Sequence, residues 1–130
     1  MEGGKQKDKV IYKDLSYDIV GILYDVYNDL GYGYREKYYE KAIIKCFEEK
    51  NIKFKNQVPF RLAYRGKIIG KFYLDFLVDE KIVLELKQGN YFPKRNINQA
   101  KEYLKTTGLK LAILVNFTSN GVKFLRVLNL

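Results

Sequence analysis

Apolar residues at Leu15, Ile19, Ile22, Leu23, Val26 and Leu30 recur every three or four positions, the spacing of one face of a helix from about Leu15 to Leu30. Gly31 and Gly33 follow, and because glycine tolerates positive φ, Gly31 is expected just past the helix end. A second stretch of the same period, about Arg35 to Lys50, turns Tyr39, Ile43, Cys46 and Phe47 inward. From Ile52 the pattern changes to strands. The first runs from about Lys53 to Tyr64 and is interrupted at Pro59, which lacks an N–H and so suits an edge or bulged strand. Arg65-Gly66-Lys67 reads as a turn, Ile68 to Val78 as a second strand, Asp79 to Lys81 as a short hairpin connection, and Ile82 to Lys87 as a third strand. A polar loop, Gln88 to Arg95, precedes a third helix from about Asn96 to Thr107, which stops at Gly108. Leu109 to Asn116, continuously apolar, and Val122 to Leu128 are the last strands.

This order predicts a mixed α/β fold. Three strands form an antiparallel meander, and the helical crossover lets the next strand join in parallel, with helices covering the sheet. A chain of 130 residues holds one core of useful size and no second one. We expect a flexible polar leader over residues 1–13 and a single domain over 14–130.

Composition narrows the chemistry. There is no His, which excludes Ser-His-Asp and Cys-His triads, and the single Cys excludes both a Cys/His zinc site and an internal disulfide. Cys46 on a helix's inner side reads as a packed thiol, and its lack of a partner fits a reducing cytoplasm. The N-terminus has no apolar core of a signal peptide, and no apolar run approaches the ~20 residues of a membrane span. A net charge of +9 favours an anionic partner such as nucleic acid or an acidic membrane surface. Hydrolysis, if present, must come from carboxylates, Lys, Tyr or a metal held by oxygen.

Asp75 breaks the apolar run Phe72-Tyr73-Leu74-Asp75-Phe76-Leu77-Val78. A carboxylate there costs several kcal/mol of desolvation unless it is paired or binds a cation; the plain alternative is a strand with one solvated face. Glu85 and Lys87 lie two apart in Ile82-Val83-Leu84-Glu85-Leu86-Lys87, so strand alternation points both to one face. The tight connection at Asp79 to Lys81 pairs the two strands and makes Asp75 and Glu85 neighbours. Adjacent carboxylates repel, which makes sense around a divalent cation, and all-oxygen ligation favours Mg²⁺ or Mn²⁺ over zinc. Lys87 then stands ready to stabilise a phosphate or to help deprotonate water on the ion, which is phosphodiester hydrolysis chemistry.

Glu36, in the first turn of the second helix, is either an acid favoured by the helix dipole or a further ligand, direct or through water; Glu40 on the same face competes for that role. Gln99 and Tyr103, four apart on the third helix with Asn96 on the same face, are either plain helix surface or a support for the lysine or a phosphate. Lys94, Arg95, Lys101 and Lys105 supply positive charge, with Tyr91 and Phe92 available to stack on bases.

Gly33-Tyr34-Arg35-Glu36-Lys37-Tyr38-Tyr39 resembles the Gly-x-x-Glu-x-x-Tyr signature of the GxxExxY proteins, a group of the PD-(D/E)xK nuclease superfamily. Asp75, Glu85-Leu86-Lys87, Gln99-x-x-x-Tyr103 and Thr107-Gly108 follow in register, so the resemblance covers roughly Asp18 to Leu128. It implies a restriction-endonuclease-like αβββαβ core, a metal held by Glu36, Asp75 and Glu85, and Lys87 as the catalytic lysine. The Gln-x-x-x-Tyr element is similar to one that supports the site in RecB-type nucleases. Tyr27 and Asn96 stand where relatives often carry His, so any auxiliary role of those histidines is absent or replaced here.

Residues and resemblance together give the expectation of a Mg²⁺- or Mn²⁺-dependent deoxyribonuclease in the cytoplasm, acting on DNA without a membrane. The size and bare core are also similar to archaeal Holliday-junction resolvases, which implies a homodimer with two sites. The competing expectations are a non-catalytic nucleic-acid-binding module that keeps the fold and charge, and an interaction domain whose basic face docks an acidic protein.

Overall fold

A computed structural model describes residues 11–129 of the chain. Most of the expected leader lies outside these residues. Helix α1, Lys13–Leu30, already includes Lys13, and Arg126 Nη2 donates to the Ile11 carbonyl at 2.6 Å. Helix α2 follows as Glu36–Glu49, then strands β1 (Phe54–Tyr64), β2 (Lys67–Val78) and β3 (Ile82–Lys87), helix α3 (Lys94–Thr107), and strands β4 (Leu111–Thr118) and β5 (Gly121–Leu128). The five strands form one sheet in chain order. Every neighbouring pair is antiparallel except β3 and β4, which run parallel across the α3 crossover. The expected mixed α/β fold with its meander and single crossover is therefore what the chain adopts.

Local chemistry explains the junctions. Gly31 ends α1 at φ 71°, where its N–H donates to the Tyr27 carbonyl at 2.7 Å. Arg65 and Gly66 both take positive φ, 48° and 80°, the pair of values that lets a two-residue loop follow the right-handed twist of its strands.

Some details differ from those read in the sequence. Strand β1 is not interrupted at Pro59, which sits opposite Tyr73 on the sheet edge; the register shift falls between Leu62 and Ala63. Helix α3 starts at Lys94, directly after Pro93 with φ −64° and ψ 152°, so Lys94 and Arg95 belong to its first turn and not to the loop. Strand β4 starts two residues late because Leu109 is spent leaving the helix: its N–H donates to Thr107 Oγ1 at 3.2 Å after the left-handed Gly108.

Two apolar clusters sandwich the sheet. Ile19, Ile22, Leu23, Ile43 and Phe47 of α1 and α2 pack on Phe76, Val78, Ile82, Leu84 and Ile113. Ala100, Tyr103 and Leu104 of α3 pack on Leu74, Val83, Ala112 and Leu114. Strand β3 alternates between the two layers as a regular strand must. Strand β2 does not. Phe72 and Leu74 face the α3 layer, whereas Phe76 and Val78 face the other, so the strand changes face at Asp75. Strand β1 makes the same change, Val58 and Phe60 against Phe54, around Gln57, which takes the left-handed φ of 52°. Among the described residues, no helix is long and apolar enough to cross a membrane.

Candidate active site

The β2–β3 ladder pairs Val78 with Ile82, Leu77 with Val83 and Phe76 with Leu84, and then stops. The next pair in that register is Asp75 and Glu85. There the strands part, and two side chains take over from the ladder. The Asp75 N–H donates to Glu85 Oε2 at 2.7 Å, and the Leu86 N–H donates to Asp75 Oδ2 at 2.8 Å. A fork in a sheet strips amides of their carbonyl partners, and a buried bare amide is costly. Each carboxylate supplies the acceptor that the opposite strand has lost. The two acids are thus fixed at the fork by the backbone itself, and Glu85 is only 3% exposed, which rules out a solvated strand face.

Lys87 leaves the sheet on the same side. Its Nζ lies 3.8 Å from Glu85 Oε1 and donates to Gln99 Oε1 at 2.9 Å, with the side chain 17% exposed. Gln99 and Tyr103 share a helix face, as their spacing predicts. Tyr103 stacks on Phe72 with ring centroids 4.3 Å apart. Asp75, Glu85, Lys87, Gln99 and Tyr103 thus lie together at one place.

The two helix acids separate in role. Glu40 Oε2 accepts from Asn56 Nδ2 and from Gln57 Nε2, each at 2.7 Å, so Glu40 ties α2 to β1 at its left-handed kink. Asn56 Nδ2 also donates to the Asp75 carbonyl at 2.9 Å, which fixes the strand just where it changes face. Glu36 is half-buried and near enough to feel the charges of both Asp75 and Lys87. Between them the spacing of Gly33, Glu36 and Tyr39 gains a physical meaning. Tyr39 Oη donates to the Gly31 carbonyl at 2.5 Å and accepts from the Tyr34 N–H at 3.3 Å, so the tyrosine locks the glycine turn that delivers Glu36.

Burial dominates the electrostatics, with the charges of neighbouring acids adding to it. Burial pushes the Glu85 carboxyl up to about 8, helped by the charge of Asp75 and opposed by the Asp75 N–H and by Lys87. Burial also raises Asp75, against the Leu86 N–H and Lys87. Glu36 rises for the same reason, with Asp75 adding to it. The Tyr103 phenol is pushed up to about 12 by burial and then by the charges of Glu85 and Asp75, so it keeps its proton at neutral pH. Three carboxyls therefore crowd around one ammonium inside a chain whose net charge is +9. Among the described residues no three metal-binding side chains close on a single point by themselves.

Beside this cluster opens a cleft of about 180 Å³, walled by Tyr32, Tyr34, Glu36, Lys87 and Gln88 and floored by Tyr39 and Phe117. The rings of Tyr39 and Phe117 stack at 4.4 Å. Tyr27 stacks on the same Phe117, and its Oη donates to the Thr118 carbonyl at 2.5 Å, so here it is a structural tyrosine. The Gln88 to Pro93 wall is held by Asn116 Nδ2 donating to the Tyr91 carbonyl at 3.0 Å and Lys123 Nζ to the Asn90 carbonyl at 3.1 Å. No local signal in the sequence marks Asn116, Lys123 or the Glu40 bracket, because each acts across the sheet.

The basic residues of α3 are not one group. At 100° per residue, Lys94, Lys101 and Lys105 fall within about 40° of each other, and roughly 140° around the helix from Gln99. Only Arg95, one turn before Gln99, shares the face of the site. All four are exposed.

Comparison with known proteins bears on the fold and the family. The crystal structure of SSO0001 matches with a TM-score of 0.58 at 16% identity, over 72% of this chain and 49% of that one. The chain thus spans about half the length of that protein, and the likeness concerns the fold alone. No curated protein matches the sequence. The family model described as PD-(D/E)XK nuclease superfamily matches residues 13–127, which takes in α1, the forked strands with Asp75, Glu85 and Lys87, α3 and all but the end of β5. An acid on each arm of a sheet fork with a lysine two residues on, in a restriction-endonuclease-like fold that this match spans almost entirely, means that the chain belongs to the PD-(D/E)XK nuclease superfamily.

Proposed function

We propose that this protein is a metal-dependent nuclease that hydrolyses phosphodiester bonds of DNA, within the GxxExxY group of its superfamily. The observation that carries the reading is the fork: Asp75 and Glu85 held rigidly by each other's backbone, with Lys87 against Glu85 at 3.8 Å. The donor set fits Mg²⁺ or Mn²⁺. It is all oxygen, and burial raises both acids, Glu85 further under the charge of Asp75, in a way a divalent cation would relieve. Asp75 and Glu85 would hold the ion and Glu36 would complete the set through water. When bound, the ion supplies Lewis-acid polarisation of the phosphate and a more acidic water.

The chain's own residues do the rest. Lys87 Nζ, aimed by Gln99, balances charge that grows on the phosphate oxygens. Tyr103 stays neutral and backs the two acids with an apolar ring. Arg95 takes a neighbouring phosphate, and Lys94, Lys101 and Lys105 form a separate stripe for a flanking strand. The tyrosine-walled cleft accepts an unpaired base beside the scissile phosphate.

Incubation with Mg²⁺ or Mn²⁺ and linear duplex, single-stranded, flapped and four-way-junction DNA tests the proposal. We expect cleavage of at least one of these with the ion and none in chelator. No cleavage of any of them or of RNA, with salt-sensitive binding that Asp75→Ala leaves unchanged, would instead identify a binding module. A finer check concerns Gln99. Its bond to a charged amine is worth about 1.5 kcal/mol, so Gln99→Ala should lower kcat roughly tenfold with KM little changed. An unaltered kcat would remove Gln99 from the site.

A further inference from the structure

N-terminal to Phe76, β2 loses β3 as its second partner, so β1 and β2 continue alone as a two-stranded ribbon. Its root is packed: Val58, Phe60, Phe72 and Leu74 lie under α3. Its outer part is not. Every residue from Arg61 to Lys71 is exposed except Gly70, which is half-buried. An isolated two-stranded ribbon is marginal in water, so one that projects this far needs something to lie against.

The charge of the ribbon says what. Arg61, Arg65, Lys67 and Lys71 are its charged residues, and no acid occurs between Lys50 and Leu74. Among the described residues none of the four takes part in an ion pair. Arg61 and Lys71 are direct partners across the two strands, a placement of like charges that destabilises a ribbon unless an anion lies over it. Their neighbours are flat: Lys71 Nζ lies 5.2 Å from the centre of the Tyr73 ring, and Arg65 lies 5.1 Å from that of Tyr64. Tyr64, Ile68 and Ile69 are also exposed, which raises the alternative of a self-association arm. Two such arms meeting would oppose four cations to four with no acid between them, so a polyanion is the better occupant.

Geometry narrows the polyanion to duplex DNA. A two-stranded β-ribbon fits the B-form major groove, about 12 Å wide, whereas the deep, narrow major groove of RNA duplexes does not admit one. Lys71 precedes Asp75 by four positions, roughly 13 Å of strand, so the ribbon lies about one groove width from the two acids. We infer that the β1–β2 ribbon is a duplex-DNA docking arm, with Arg61 and Lys71 on phosphates across the groove from the bond to be cut. The inference rests on the nuclease reading for the position of that bond, but not for the binding itself.

Fluorescence anisotropy on a labelled 30-base-pair duplex in chelator, over a salt series, reads the arm without catalysis. The variant Arg61→Thr/Lys71→Thr keeps strand-forming residues and should lower affinity at least tenfold at low salt. Its salt slope should fall by about two, one for each phosphate that is no longer neutralised. Its melting temperature should stay level or rise, because the facing charges are gone, whereas removal of a merely structural pair would lower it. The variant Arg61→Lys/Lys71→Arg should bind as the parent does. Unchanged affinity and slope in the threonine variant overturns the arm, even if the parent cleaves DNA. Binding that falls in the variant while the parent cleaves nothing leaves the arm standing and removes the nuclease reading. A drop from dimer to monomer in light scattering, with DNA affinity unaltered, makes the ribbon a self-association arm instead and overturns the proposal.

Discussion

Asp75→Asn is expected to slow metal-dependent cleavage by on the order of 10³-fold or more while the folded protein is kept and binds DNA in chelator at least as tightly. The size follows from the role proposed for it: losing one ligand of an ion that would stabilise transition-state charge removes several kcal/mol, and each 1.4 kcal/mol is about tenfold in rate. The fold survives because Asn offers an Oδ1 that still accepts the Leu86 N–H, now bonded to Asp75 Oδ2 at 2.8 Å. Binding does not suffer because a negative charge leaves the surface that meets phosphate. Asp75→Ala separates the two roles. It strands the Leu86 amide at the fork and should cost about 1–3 kcal/mol of stability as well as activity. Single-turnover cleavage and urea unfolding of both variants measure this. Comparable turnover in Asp75→Asn and the parent would show that the acid is only a strap for the fork.

Much of this site can be read from local patterns, because its parts obey local geometry. Glu85 and Lys87 share a face through strand alternation, and Gln99 and Tyr103 through a helical repeat of four, so both pairs survive folding unchanged. The element order is equally local, since the turns at Arg65-Gly66 and Asp79 to Lys81 sit between clear strand patterns. Asp75 is visible as an acid in an apolar run, but not the reason it is tolerated. That reason is the face change in β2, matched across the pair by the left-handed Gln57 in β1, and no pattern within either strand records it. Glu40 does not distinguish itself from Glu36 in the sequence for the same reason: the Asn56 and Gln57 amides that occupy it come from a strand that only the folded sheet brings near. The ribbon is a third case. Both strands are legible, but its projection depends on β3 pairing with only the last three residues of β2.

Glu85 offers the sharpest physical test, because the acid proposed to hold the ion should also make the metal-free protein less stable. Folded Glu85 holds its proton up to about 8, whereas the unfolded chain releases it near the ordinary 4.5. Between those values the folded state binds more protons, so raising the pH favours unfolding. Stability owed to this group is complete below about 4.5, declines through the window, and is fully lost above about 8. At ~1.4 kcal/mol per unit across that window, the loss is at most on the order of 5 kcal/mol. Mg²⁺ should act in the opposite sense, since on the proposed reading it would bind the ionised acids of the folded state, and its stabilisation would therefore grow as pH rises through the same window. Glu85→Gln keeps an acceptor for the Asp75 N–H and removes the charge. Its melting temperature in chelator should exceed that of the parent at pH 8, lose most of its dependence on pH, and no longer respond to Mg²⁺, while cleavage disappears. Thermal melts from pH 5 to 9 with and without the ion decide it. A parent profile that is flat in chelator, or a Gln variant less stable than the parent at pH 8, would mean that the buried acid is at ease without a cation and that the site was not built to hold one.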